Sequence, residues 1–230
     1  MFPWSESGEP MRFDRFMQAA LHDPEHGYYG QRIRGVGRDA DFSTSASLSG
    51  ALGRAIASWA DQALARTHCR HLIELGPGSG ELAETVLKAM PWHRRFRTTL
   101  HLVESSAPLR AQQQERLGRR VQWHADIQSA LVASQGHACL YSNEFVDAFA
   151  VRRFRKEPDG WSEQFVSPGQ SHWHPIDALP SSSAFTADHP PGQIVEVHES
   201  YHTWLDEWLA DWRRGEMVTI DYGEAIDRLY

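Results

Sequence analysis

His71-Leu72-Ile73-Glu74-Leu75 runs directly into Gly76-Pro77-Gly78-Ser79-Gly80, and Glu81 follows at once. The first five residues read as a short strand, cut off by three glycines and a proline. Leu82, Val86 and Met90 then recur on one stripe of a helix that Pro91 stops. Glycines at a strand-to-helix turn allow a tight reversal and let a ligand approach the backbone closely. By itself the turn is a weak signal, because a bare strand–helix junction can look the same.

The sequence on either side gives the turn its context. Downstream, Thr98 to Val103 reads as a strand ending at Glu104, and Pro108 to Leu117 as a helix. Val121 to His124 is a short strand ending near Asp126, Ile127 to Ala133 a helix, and His137 to Tyr141 a strand ending at Ser142-Asn143-Glu144. Strand and helix alternating in this way predict an α/β fold of the Rossmann-like class, a mostly parallel sheet flanked by helices. Right-handed crossovers then align the strand C-termini on one edge, where open α/β sheets bind ligands. Farther on the rhythm changes. Val151 to Lys156 and Trp161 to Val166 flank Pro158-Asp159-Gly160 as a hairpin, and 167–192 is aperiodic and rich in Pro, Ser and His, which predicts a long loop. Gln193 to Val197 reads as a strand. Tyr201, Trp204, Leu205, Trp208, Leu209 and Trp212 predict one amphipathic helix, and Met217 to Ile220 a last strand before Asp221-Tyr222-Gly223. Upstream, helical spacing is visible at Phe13, Phe16, Met17, Ala20 and Leu21, and again at Leu48, Leu52, Ile56, Trp59 and Ala63. The expected organisation is an N-terminal helical extension over 1–66 and a core over 67–230, with an insertion at about 151–192.

Composition sets the class. The chain has 230 residues, a net charge of −7 and 41% hydrophobic residues, as ordinary globular proteins do. The acidic balance disfavours nucleic acid as a partner. Two dense basic runs, Arg94-Arg95-Phe96-Arg97 and Arg152-Arg153-Phe154-Arg155-Lys156, read as solvated loop or strand edges. Cys69 and Cys139 each lie in or beside an apolar run and are expected as buried free thiols, in a reducing compartment. No apolar stretch is long enough to span a membrane, and no targeting leader is visible, so cytoplasm is the expected location.

The chemistry of the strand ends narrows the ligand. A dinucleotide fingerprint is G-x-G-x-x-G with the pyrophosphate on the helix N-terminus. Here the spacing is G-x-G-x-G, and Glu81 makes the first helical turn acidic. That suits a zwitterionic amino acid beside a sulfonium, as in S-adenosylmethionine, better than a pyrophosphate. Glu104, closing the second strand, can accept from both hydroxyls of an adenosine ribose, in either kind of cofactor. Asp126 can accept from an adenine amino group or cap the following helix. Asn143, Glu144 and Asp147 follow the strand whose end lies beside the reactive methyl. Glu144 and Asp147 share a face if the segment is helical, and paired carboxylates suit a cationic acceptor such as guanidinium. The other reading is a helix-start cap with a solvated acid. His172-Trp173-His174 has no partner motif with ligand spacing, so no metal site is expected and the histidines read as loop residues.

Several stretches, in order along the chain, resemble the MidA-type (DUF185) methyltransferase family, which includes a mitochondrial protein arginine methyltransferase that serves complex I assembly. Arg12 to Tyr29, with His-Asp-Pro-Glu-His-Gly-Tyr-Tyr, resembles the family's start, and Asp41-Phe42-Ser43-Thr44-Ser45 its G-D-F-x-T-S element. Glu74 to Gly80 resembles its E-L-G-P-G-x-G, Ser142 to Ala148 its A-N-E-x-x-D-A, and Ile220 to Gly223 its I-D-Y-G. The resemblance implies a class I methyltransferase fold with S-adenosylmethionine as cofactor. It implies Asp41, Thr44, Ser45, Glu74, Gly76, Gly78 and Glu104 near that cofactor, and Asn143 and Glu144 toward the acceptor; the reading of the strand ends adds Gly80 and Asp126 to the first set and Asp147 to the second. Ser47 stands where the family has a carboxylate, and Ala40 where it has glycine. The family continues well past its I-D-Y-G, so a C-terminally truncated core is expected. The functional expectation is methylation of a protein, at arginine. The alternatives are a cofactor-binding assembly factor without turnover, and a methyltransferase for a small molecule or RNA.

Overall fold

The computed structural model describes residues 9–23, 25–29 and 50–224. They fall into two compact units. One comprises the described residues within Met1–Gly30, Val146–Trp204 and Tyr222–Tyr230; the other those within Gln31–Phe145 and Leu205–Asp221.

The second unit carries the alternating elements: α2 (Gly50–Thr67), β2 (His71–Leu75), α3 (Glu81–Ala89), α4 (Trp92–Arg95), β3 (Thr99–Val103), α5 (Ala107–Leu117), β4 (Gln122–His124), α6 (Ile127–Ala133), β5 (Ala138–Asn143) and β10 (Met217–Ile220). Its five strands are all parallel, in the order β10-β5-β2-β3-β4. The register places Leu75 beside both Val103 and Ser142, and Ile220 beside Asn143, so the strand C-termini share one edge. From β2 the chain proceeds outward to β3 and β4, then returns to place β5 on the other side of β2. The ends of β2 and β5 therefore form the topological switch point, the usual ligand crevice of an open α/β sheet.

Burial on both faces explains the near-continuous apolar strands. Leu72, Leu100, Leu102, Cys139 and Tyr141 pack with Ile56, Ala60 and Leu64 of α2 and with Leu82, Val86 and Met90. Alternation sends His71 and His101 to the other face. There His71 Nδ1 meets His101 Nε2 and His101 Nδ1 meets His124 Nε2, each at 2.9 Å, making a three-imidazole chain across β2, β3 and β4. Burial and its two neighbours hold the central His101 down at about 3, so it is neutral. Both cysteines are free and buried.

The first unit contains β1 (Met11–Arg12), α1 (Phe13–His22), β6 (Arg152–Glu157), β7 (Gly160–Ser167), β8 (Gln170–Ile176), β9 (Ile194–Val197) and most of α7 (Glu199–Asp206). Its strands form an antiparallel sheet in which β7 pairs β1, β6 and β8, and β6 pairs β9.

Several sequence expectations are corrected here. The 1–66 extension is divided: α1 packs on β6 and β7, whereas α2 packs on α3 and β5 as part of the parallel-sheet unit. The long loop at 167–192 contains β8, and His172, Trp173 and His174 lie on that strand. Local propensity is poor, but β7 supplies the hydrogen bonds, and Pro175 is tolerated because, among the described residues, β8 pairs with β7 alone. The Arg152–Lys156 run is not an edge. β6 is an inner strand, and Arg152 makes a forked pair with Glu163 at 2.7 and 2.8 Å plus a bond to Glu199 at 2.9 Å. Finally, the Trp-rich helix stops at Asp206. Trp208 leaves helical backbone and is fully buried, and the Trp212 indole donates to the Ala138 carbonyl at 2.8 Å. A tertiary hydrogen bond replaces the continuing helix.

Among the described residues, no helix is long and apolar enough to cross a membrane, and no group of three or more His, Cys, Asp or Glu has the geometry to hold a metal ion.

Candidate functional site

Gly76, Gly78 and Gly80 all have left-handed φ, at 61°, 54° and 79°. Only glycine adopts this region without steric cost, so the turn needs all three. Gly76 is also hemmed in: a Cβ there would lie 2.6 Å from Cδ2 of Phe145. Gly80 occupies the N-cap position of α3 with no capping side chain, and Glu81 and Glu84 both fall in the first turn. The negative first turn is the feature that argues against a pyrophosphate.

Beneath the turn, Glu74 is 2% exposed, and its Oε2 accepts a hydrogen bond from the Tyr141 hydroxyl at 2.7 Å. Tyr141 stands directly opposite on β5 and is itself fully buried. Burial pushes the Glu74 carboxyl up to about 8, with the tyrosine bond only partly opposing it. Glu74 thus belongs to the underside of the turn. Tyr141 was not singled out in the sequence; its only signal was a polar tip in a strand that is otherwise apolar.

Glu104 follows β3, and its backbone N–H bonds the His124 carbonyl. Its Oε1 accepts from the Ser106 N–H at 2.8 Å and its Oε2 from Gln113 Nε2 at 3.3 Å. Burial raises the carboxyl to about 7, against the pull of those donors. Each oxygen keeps a lone pair for a further donor such as a ribose hydroxyl. Gln113, on α5 and fully buried, is a second residue the sequence did not reveal. Its Nε2 also donates to the Gly78 carbonyl at 2.8 Å, and its Oε1 accepts from the Trp123 indole at 3.1 Å. One carboxamide therefore ties the glycine turn to the Glu104 carboxylate.

Asp126 is the N-cap of α6: its Oδ1 accepts from the Ser129 N–H at 2.8 Å, and this bond holds the carboxyl below its usual range. The capping reading is realised, and Oδ2 is left for another donor.

At the end of β5, Asn143 is 9% exposed and its Oδ1 is buried without a hydrogen-bond partner. Its Nδ2 lies 3.5 Å from Glu144 Oε1. Glu144 has a left-handed φ of 47°, and its N–H donates to the Ile220 carbonyl at 2.8 Å. This unusual backbone at a non-glycine residue is strain held in place by β10. Glu144 and Asp147 do not share a helical face, because the 3-10 turn begins only at Val146. Asp147, in the other unit, accepts from the Tyr222 hydroxyl at 3.2 Å. The fold thus gathers Gly76–Gly80, Glu104, Asp126, Asn143 and Glu144 at one sheet edge. Asp41, Thr44 and Ser45 lie outside the described residues.

Residues 51–230 match the model of a family of S-adenosyl-L-methionine-dependent methyltransferases. The chain is 29% identical over 185 residues to "Protein arginine methyltransferase NDUFAF7 homolog, mitochondrial" of Caenorhabditis elegans, covering 69% of this chain and 43% of that protein. It is 28% identical over 261 residues to "Protein arginine methyltransferase NDUFAF7, mitochondrial" of Xenopus tropicalis, covering 97% and 60%. Among solved structures, a COG1565 superfamily member from Burkholderia thailandensis bound to S-adenosyl-homocysteine superposes with a TM-score of 0.81 at 28% identity, covering 95% of this chain and 59% of that one. The chain thus spans about half the length of the relatives it matches. A doubly wound parallel sheet, a left-handed glycine turn with an acidic first helical turn and a match over most of the sequence converge: the chain belongs to the S-adenosyl-L-methionine-dependent methyltransferase family.

Proposed function

We propose that this protein transfers a methyl group from S-adenosylmethionine to an arginine side chain of another protein. The observation that carries the acceptor class is the buried, unpartnered Oδ1 of Asn143 beside the Glu144 carboxylate at the switch point. A buried acceptor atom left unpaired costs about 1–3 kcal/mol. A guanidinium, which offers N–H donors in a planar fork, would satisfy Asn143 and Glu144 together.

The residues present fit the cofactor. The Gly76–Gly80 turn offers glycine backbone, with its left-handed φ values, to the amino-acid portion, Glu104 has lone pairs for the ribose hydroxyls, and Asp126 Oδ2 can take the adenine amino group. Glu74 supports the turn from beneath. When bound, S-adenosylmethionine supplies the electrophilic methyl group on its sulfonium. Asn143 and Glu144 would hold the guanidinium so that one nitrogen lone pair faces the methyl, and Glu144 would accept the proton that the methylated nitrogen releases. Positioning of this kind is worth several powers of ten in rate. The names of the eukaryotic relatives support the arginine reading. The two buried free thiols support the reading of a reducing compartment, the cytoplasm.

Calorimetry with S-adenosylhomocysteine and a transfer assay on arginine-containing proteins test the proposal. Glu144→Gln should keep product-cofactor affinity within about twofold and lower transfer roughly a hundredfold or more. A fully active Glu144→Gln variant would refute the acceptor assignment, and absence of binding by folded protein would refute the cofactor assignment.

A further inference from the structure

Three stretches of chain lead into the adjacent parallel strands β2, β3 and β4, and they lie at the sheet edge opposite the glycine turn. They are 68–70, 91–98 and 118–121. Together they hold Arg70, Arg94, Arg95, Arg97, Arg119 and Arg120, and not one Asp or Glu. In a chain of net charge −7, the fold has gathered cations from three separated segments at one place. Two of the six serve the fold: Arg94 pairs with Asp61 at 2.7 Å, and Arg120 donates to the carbonyls of Leu117 and Arg116. Basic residues in the last turns of the flanking helices are also neutralised, Arg66 by Glu216 and Lys88 by Glu84. Arg70, Arg95, Arg97 and Arg119 are exposed, and none of them forms an ion pair with a carboxylate among the described residues. Neighbouring strands are about 4.8 Å apart, so β2 to β4 spans about 10 Å, close to the Debye length at physiological salt; the four charges act as one field. Among the segments that lead into the parallel strands, Asp and Glu appear only ahead of β10, Asp211 and Glu216 among them.

The same edge shows two large aromatics to solvent, Trp92 at 71% and Phe96 at 79% exposure. No folding role accounts for either ring. Exposed Trp, Phe and Arg side by side are the residue types that dominate protein–protein hot spots. Arg95 already lies over one face of Phe96, and Trp92 meets His93 edge-on. That arrangement offers ring edges to aliphatic side chains more readily than open faces to nucleobases, and the chain's overall negative charge opposes a polyphosphate.

We propose that the edge formed by Arg70, Trp92, Arg95, Phe96, Arg97 and Arg119 is a docking surface for an acidic, partly apolar segment of a partner protein. It is separate from the methyl-transfer site and stands without it. A cationic arginine acceptor would be repelled here, so the segment bound is a different part of the substrate or another protein.

The test is fluorescence anisotropy with the whole chain and a labelled oligoglutamate peptide carrying a central Leu-Leu pair, with oligouridylate of similar length as the competitor class. Arg95→Glu/Arg97→Glu should weaken peptide binding on the order of tenfold or more, and Trp92→Ala/Phe96→Ala several-fold, with unchanged melting because all four side chains are exposed. Arg70→Glu/Arg119→Glu repeats the charge test from the two flanking segments, should either first variant fold poorly. Peptide affinity indifferent to the charge reversals or to loss of the aromatics, or tighter binding of oligouridylate than of the peptide, would overturn the proposal.

Discussion

Gly76→Ala should destabilise this protein, and its cost separates into two parts. The first is conformational: Gly76 sits at φ 61°, and an L-residue in the left-handed region costs about 1–2 kcal/mol. The second is steric: the new Cβ would stand 2.6 Å from Phe145 Cδ2, well inside van der Waals contact, so the ring must move. Overpacking of this kind costs about 1–3 kcal/mol. The sum, about 2–5 kcal/mol, is a large part of an ordinary domain's stability, and for a chain of this size each kcal/mol lowers Tm by about 2–4 °C. Urea denaturation of Gly76→Ala, Phe145→Ala and the double variant reads the two parts separately. Removing the ring should relieve the steric share and leave about 1–2 kcal/mol of backbone strain. A single variant destabilised by less than about 1 kcal/mol would refute the reasoning. So would a double variant as stable as Phe145→Ala alone, since the left-handed cost would then be absent.

Two further outcomes follow from the site's buried and capping carboxyls. Burial raises the folded-state value of Glu74 to about 8 against an ordinary 4.5, so the folded protein holds a proton that the unfolded chain has lost. Glu74 should therefore make stability fall as pH rises between those values, contributing at most about 1.4 kcal/mol per unit, and Glu74→Gln should remove that share of the slope in chemical denaturation series, leaving the share of Glu104; an unchanged slope would mean that the Glu74 carboxyl is already ionised in the fold. Asp126→Ala removes the acceptor for the Ser129 N–H and should lower stability by about 1 kcal/mol, measured in urea, whereas Asp126→Asn, which keeps a capping oxygen, should lose much less.

Much of the parallel sheet was legible because its signals are local. Apolar runs, helical stripes, Pro91 and the Gly76–Gly80 turn each declare themselves within a few residues. The strands at His71–Leu75 and Met217–Ile220 and the helix at Ile127–Ala133 fall where their patterns place them. The antiparallel unit was harder to read. β8 has Ser, His and Pro where a strand former is expected, and it exists because β7 offers it a full ladder of hydrogen bonds. The Trp-rich periodicity from Tyr201 to Trp212 was equally misleading: the pattern continues past Asp206, but the backbone follows Trp208 into the core and Trp212 to Ala138.

The candidate site divides in the same way. The sequence alone determined which residues stand at the strand ends: Gly76, Gly78, Gly80, Glu104, Asp126, Asn143 and Glu144. It could do so because their spacing follows from strands and helices of ordinary length in a parallel order. Only the tertiary structure decided what each one meets. Tyr141 reaches Glu74 across 67 positions of sequence, and Gln113 reaches Gly78 across 35. Strand order turns three arginine-bearing segments, each unremarkable alone, into one cationic edge. Local chemistry is written in neighbouring residues, whereas charge fields, buried acids and orphaned hydrogen-bond acceptors arise only when segments distant in sequence are brought within a few ångströms and water is excluded from between them.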